Sequence, residues 1–185
     1  MVVASNNKSK IEEIKAILDV DVYSLKDKGI NIDVEENGST FKDNATIKAK
    51  AIYDICHEEV IADDSGLCID CLDGFPGVLT NRFLGKDATN DEKNDYLLNE
   101  VNKHDNRSCK FICAITYYNG KDLIEIEQAL NGRISLSKRG NNGFGFDEIF
   151  ELDNGKTLAE LEDFEKNEIS ARYLALVELK KKLKG

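Results

Sequence analysis

Strand-like and helix-like patterns alternate over the first hundred residues, and that alternation restricts the chain to an α/β arrangement with a largely parallel sheet. Met1–Ala4 reads as a short buried strand. Ile11, Ile14 and Leu18 then recur at the three- and four-residue spacing of a helix face. A second helix is predicted from Ser39 or Thr40, with Asp43 placed to close a capping box on Thr40. Phe41, Ala45, Ala49, Ile52 and Cys56 form its inward stripe. Val60–Asp63 reads as the next strand, and Thr89–His104 as a mostly polar helix held by Tyr96, Leu97 and Val101. From Ser108 the texture changes: Lys110–Tyr118 and Leu123–Leu130 flank Asn119-Gly120, a strong hairpin signal. A glycine-rich stretch, Arg139–Gly145, precedes a strand at Glu148–Glu151. One last helix carries Ile169, Tyr173, Leu176, Leu179 and Leu183 on one face. With a single proline and no linker or repeat, residues 1–185 read as one domain.

The composition narrows the functional classes. Apolar residues at 41% and charged residues at 32% describe a globular chain rather than a disordered one. No apolar run approaches the ~20 residues that cross a bilayer, so no membrane partner is expected. The opening Met-Val-Val-Ala-Ser shows no secretion signal, and the expected location is cytoplasmic. A net charge of −10 without a basic stripe argues against nucleic acid. The closing Lys180-Lys181-Lys182-Leu183-Lys184 reads as the cationic end of a helix. Five cysteines, an odd number, do not form a disulfide framework. Cys68 with Cys71, and Cys109 with Cys113, have spacings that thiolate metal sites use, but both pairs lie in apolar strand text, where cysteine packs as a small hydrophobe.

Chemistry-bearing residues cluster in five places. Ile61-Ala62-Asp63-Asp64-Ser65-Gly66-Leu67 is an apolar strand that is expected to close on two carboxylates, a hydroxyl and a glycine. Such a strand end holds a hard divalent cation through one or two carboxylates plus substrate phosphates. Ser5-Asn6-Asn7-Lys8-Ser9-Lys10 joins a strand to a helix N-terminus, where free N–H groups and the dipole favour phosphate. It is not a Walker loop. Glu35 and Glu36 precede the second helix, on which Asn44 and Lys48 share a face. Gly143-Phe144-Gly145-Phe146-Asp147 allows close backbone approach and offers a ring for base stacking. Lys166 and Arg172 bracket the start of the last helix and converge only if Lys166 precedes it.

The order and spacing of these motifs resemble the Ham1-type inosine/xanthosine triphosphate pyrophosphatases, nearly end to end. The matching residues are Ser5, Asn7 and Lys10; Glu36, Gly38, Thr40, Phe41, Asn44, Ala45, Lys48 and Ala49; and Ala62 through Leu67. They continue with Gly74–Gly77 and Arg82, Gly143–Asp147, and Lys166, Ser170 and Arg172. Two positions depart from the family pattern: Ala171 replaces the usual His, and Glu148 the usual Pro. The resemblance implies a mixed central sheet with flanking helices, in an elongated two-lobed fold with a cleft between lobes. It implies hydrolysis of ITP, dITP and XTP to the monophosphate and pyrophosphate, with Mg²⁺, in a homodimer that pairs near Gly74–Arg82. In the implied site Glu36 and Asp64 hold the metal and Asp64 is the general base. Ser5, Asn6, Asn7, Lys8, Ser9, Lys10, Lys48 and Ser65 meet the phosphates. Phe144, Gly145, Phe146, Asp147, Lys166 and Arg172 meet the base. A Maf-like pyrophosphatase of other nucleotides, or a nucleotide-binding sensor without turnover, is the alternative.

Overall fold

A computed structural model describes residues 1–85 and 87–184 of the chain, the side chain of Ser9 excepted. In order along the chain come β1 (Val2–Val3), α1 (Lys8–Leu18), α2 (Phe41–Cys56), β2 (Val60–Ile69) and α3 (Asn90–Val101). Next are β3 (Ser108–Tyr118), β4 (Leu123–Ile134), β5 (Phe150–Glu151), α4 (Asp163–Ile169) and α5 (Ala171–Lys184). The strands form one five-stranded sheet in the order β1-β2-β3-β4-β5.

The sheet is mixed. β1 lies parallel to β2, with Val2 opposite Val60 and Val3 opposite Ile61, whereas β4 and β5 are antiparallel. β3 and β4 are joined by a turn too short for a crossover, so that pair is antiparallel as well. The largely parallel sheet that the alternation predicts is therefore corrected. A two-residue β1 makes the parallel part small, and the long hairpin strands supply most of the rest.

Local signals set the helices. Asn7 accepts from the Lys10 N–H to cap α1, which ends at Asp19 in the left-handed region. Thr40 and Asp43 form the expected capping box on α2, and Thr89 and Glu92 form another on α3. Phe41, Ala45, Ala49 and Ile52 are buried along α2. The final helix is broken at Ser170, whose extended backbone (φ −64°, ψ 145°) separates α4 from α5. The single stripe expected there is corrected too: α5 buries Ala171, Ala175, Leu176 and Leu179, while Leu183 is exposed.

The chain divides into two compact units. The first comprises Met1–Asp64, Cys113–Gln128 and Ala171–Gly185. Its core gathers Val2, Ala4, Leu25, Ile30, Ala49, Ile52, Val60 and Ala62, and α1 packs on α5. The second comprises Ser65–Ile112 and Ala129–Ser170. Leu67, Ile69, Leu97, Val101, Ile134, Phe146, Ile149, Phe150 and Leu158 are central to its core.

All five cysteines are free thiols. Cys68, Cys109 and Cys113 are buried, and burial pushes the Cys113 thiol up to about 12. Only thiolate reacts, so a buried thiol raised that far is inert near neutral pH. A native-state titration with an aromatic disulfide reagent at pH 8 is expected to modify at most the half-buried Cys56 and Cys71 quickly, and the other three only after denaturation.

Candidate active site

β2 does not end at its acids, as the sequence reading expects; it continues through them to Ile69. Successive side chains of a strand face opposite sides of the sheet, so the two carboxylates are dealt to different surroundings. Both are almost fully buried. What reads in the sequence as the end of a strand is a strand interior, which is tolerated only because each acid finds its own partners.

Asp63 faces cations. Its Oδ2 accepts from Lys10 Nζ of α1 at 2.9 Å and from Arg172 Nε of α5 at 3.3 Å. Arg172 Nη1 reaches Glu13 Oε2 at 3.1 Å, which closes a four-member network. Burial by itself would raise the Asp63 carboxyl, but the Lys10 and Arg172 charges outweigh it and hold the group well below the usual carboxylate range.

Asp64 has the opposite surroundings. Burial pushes its pKa up, the Asn44 hydrogen bond opposes that rise, and the charge of Glu36 adds to it. Asn44 Nδ2 donates to Asp64 Oδ2 at 3.0 Å from the first turns of α2. Lys48, one helical turn further on, bonds Glu36 Oε1 at 2.5 Å and donates to the Asp63 carbonyl at 2.9 Å. Two oxygen-donor acids that repel one another, with one lysine between them, fit a hard divalent cation. Among the described residues no group of three or more His, Cys, Asp and Glu is arranged to hold a metal unaided. A cation at Glu36 and Asp64 would thus complete its shell from phosphate and water.

The segment before α1 spends its polar side chains on the backbone. Ser5 Oγ accepts from the Asn7 N–H at 3.1 Å, and Asn6 Oδ1 accepts from the Lys26 N–H at 3.0 Å. Lys8 is exposed, and α1 carries no acid in its first turn, so its dipole is not offset there. The Ser9 side chain lies outside the described residues. Ser65 follows Asp64 in β2, half-buried.

In the second unit Asp147 folds the glycine-rich loop on itself. Its Oδ2 accepts from the Phe144 N–H at 2.7 Å and from Lys166 Nζ at 2.5 Å. Lys166 Nζ also lies 4.5 Å from the centroid of the Phe144 ring. Gly143 is required here: its φ is +76°, and a Cβ would stand 2.2 Å from the Asp147 carboxylate. Phe144 is 66% exposed and offers its ring, whereas Phe146 belongs to the core against Phe83 and Phe111. Phe146 is thus a packing residue where the sequence reading has it touch the base. Lys166, on α4, pairs with Asp147, and Arg172, on α5, pairs with Asp63 and Glu13, so the two side chains have their partners in separate units.

Sequence reasoning missed Asn94. It is almost fully buried, and its Nδ2 donates to the Gly145 carbonyl at 3.0 Å from α3, while its Oδ1 accepts no bond among the described residues. An Asn inside a polar helix gives no sign of this bond by its type; Leu97, Leu98 and Val101, three, four and seven residues on, mark the inward face it shares.

A five-stranded mixed sheet thus carries a buried acid pair, one member tied to cations and one beside a second acid. The chain belongs to the Ham1 family, whose model matches residues 1–182. It is 40% identical over 193 residues to the dITP/XTP pyrophosphatase of Clostridium tetani, which covers 100% of this chain and 96% of that protein. To the dITP/XTP pyrophosphatase of Clostridium perfringens it is 42% identical over 197 residues, 100% and 97% covered. The Ham1 protein of Staphylococcus aureus superposes with a TM-score of 0.94 at 36% identity, over 100% of this chain and 97% of that one. A Ham1 protein from Coxiella burnetii gives 0.93 at 36% identity, over 99% and 97%.

Proposed function

We propose that this chain hydrolyses non-standard purine nucleoside triphosphates (dITP, ITP and XTP) to the monophosphate and pyrophosphate. The observation that carries the reading is Asp64: a buried carboxylate, raised by burial, beside Glu36 and Lys48, in a chain similar to dITP/XTP pyrophosphatases over its whole length. Asp64 accepts a proton from water as the water oxygen bonds to the α-phosphorus. The bond from that phosphorus to the bridging oxygen breaks, and pyrophosphate leaves with the electron pair. A base whose pKa is moved toward neutrality suits that transfer. Lys10, Lys48 and the N–H groups of the Ser5–Ser9 segment offset the charge that gathers on the leaving group. Glu36 and Asp64 are the proposed Mg²⁺ ligands, and neutralisation of phosphate charge is what the ion supplies when bound.

Phe144 stacks on the purine, and Lys166 and Asp147 hold that ring and meet the base. Gly145 and Ser65 would contribute through backbone or hydroxyl. Arg172 is the proposed partner of the 6-oxo group, an acceptor where adenine presents a donor. Five free cysteines support a reducing, cytoplasmic setting, and no helix among the described residues is long and apolar enough to cross a membrane. A homodimer contact near Gly74–Arg82 is part of the same proposal, by resemblance to the family.

The test is pyrophosphate release from a panel of triphosphates, with and without divalent cation. Metal-dependent release from ITP, dITP and XTP, with little from ATP or GTP, is the expected result. Release mainly from pyrimidine or standard nucleotides would overturn the substrate assignment, and no release from any would overturn the activity.

A further inference from the structure

We infer that Asn44 is a positioning residue that ties the general base and the Glu36 segment into one rigid piece. The inference rests on the proposed role of Asp64. Asn44 is fully buried, and both ends of its amide are used. Nδ2 donates to Asp64 Oδ2 at 3.0 Å, and Oδ1 accepts from the Gly38 N–H at 2.8 Å. One side chain on α2 thus sets the plane of the Asp64 carboxylate and the path of the backbone two residues after Glu36. An amide is the only side chain of this length that donates at one end and accepts at the other. A carboxylate could not donate to Asp64, and an apolar group would leave both partners short of a bond in a buried place.

Gly38 carries independent evidence for the same contact. A Cβ there would stand 2.7 Å from Asn44 Oδ1, 2.6 Å from Asp43 Cβ and 3.0 Å from the Asn44 backbone nitrogen. The backbone approaches the amide more closely than any residue with a side chain permits. Capping of α2 does not need the Asn44 side chain, because Thr40 and Asp43 already satisfy the helix end. Its side-chain bonds therefore serve Asp64 and the Glu36 segment rather than the helix on which it lies.

The experiment compares Asn44→Ala, Gly38→Ala and the double variant. It measures kcat and KM for dITP, affinity for an inosine triphosphate whose α,β-bridging oxygen is replaced by methylene, and the thermal midpoint. A misplaced reacting group costs up to ~10²-fold in rate, so kcat is expected to fall roughly 10- to 100-fold per folded molecule in each single variant. KM and analogue affinity are expected to stay within about threefold, since the phosphate and base contacts persist. Because both changes break one bridge, the double variant should lose little more than either single one. Asn44→Gln, which keeps the amide but shifts it by a methylene, should recover part of the loss. If Asn44→Ala does not fold, Gly38→Ala alone reads the bridge from its other side. An unchanged kcat in Gly38→Ala, fully multiplicative losses in the double variant, or a loss confined to KM would overturn the inference. A wild-type chain that releases no pyrophosphate overturns the proposed function itself, a result separate from an active wild type that ignores both substitutions.

Discussion

Replacing Asp64 by Asn is expected to lower kcat for dITP by roughly 10³-fold, within the ~10²–10⁴ that a positioned general base contributes. The substitution keeps the shape of the side chain and removes its capacity to take a proton. It also takes negative charge from a place where Asp64 is already burdened by burial and by Glu36. Folding stability should therefore not suffer, and the thermal midpoint is expected to hold or rise. Nucleotide binding should persist through the lysines and the aromatic loop. Pyrophosphate release, analogue affinity and melting, measured on one preparation, separate the three effects. Turnover within about tenfold of wild type would remove Asp64 from the role of base.

The neighbouring acid should behave in the opposite way. Asp63→Ala deprives Lys10 and Arg172 of a shared buried carboxylate. Breaking such a pair from one side costs about 3–5 kcal/mol, because the remaining charge stays buried without compensation. Lys10 is a quarter exposed and Arg172 keeps Glu13, so the lower end of that range, about 3 kcal/mol, is expected. Urea unfolding measures it. The pH dependence follows from the depressed pKa of Asp63. A carboxyl held below its unfolded value contributes stability that is fully present above about pH 4 and is lost as pH falls toward the folded pKa. The gap between wild type and variant should therefore be wide at neutral pH and narrow in acid. A gap that does not change between pH 7 and pH 3 would show that the network adds nothing through charge.

The elements of this fold were legible wherever a short-range rule governs them. Thr40 with Asp43 announces α2, and Asn119-Gly120 announces the β3–β4 hairpin, because capping and turn formation involve only a few adjacent residues. The break at Ser170 was not legible, since apolar spacing continues across it from Ile169 to Tyr173. In the site, residue types and order pointed to phosphate chemistry, but they did not show which partner each residue takes. Asp63 and Asp64 read as the end of a strand because Asp in a buried strand is rare, and only their partners explain its continuation. Those partners come from positions as distant as Lys10, Asn44 and Arg172. Phe144 and Phe146 look alike in a glycine-rich loop, and only the core beneath Phe146 distinguishes them. The helical period of Leu97, Leu98 and Val101 puts Asn94 on an inward face but does not give its partner, since a hydrogen bond to a loop some fifty residues onward follows no local period.

The dealing of adjacent acids to opposite faces of β2 has a consequence for how the strand finds its place. A slip of one residue against β1 would exchange the two faces. A slip in one direction would bring Asp64 to the place of Asp63 beside Lys10 and Arg172, and a slip in the other would bring Asp63 to the place of Asp64 beside Asn44 and Glu36. The apolar residues around them tolerate either face, because β2 is buried on both sides. Hydrophobic burial alone therefore gives this strand little preference between the two registers. The cations on one side and the acid on the other do discriminate, since the chain beyond the pair, from Ser65 to Ile69, must shift with them. Charge here acts as an address, and it tells an otherwise ambiguous strand where to stop sliding.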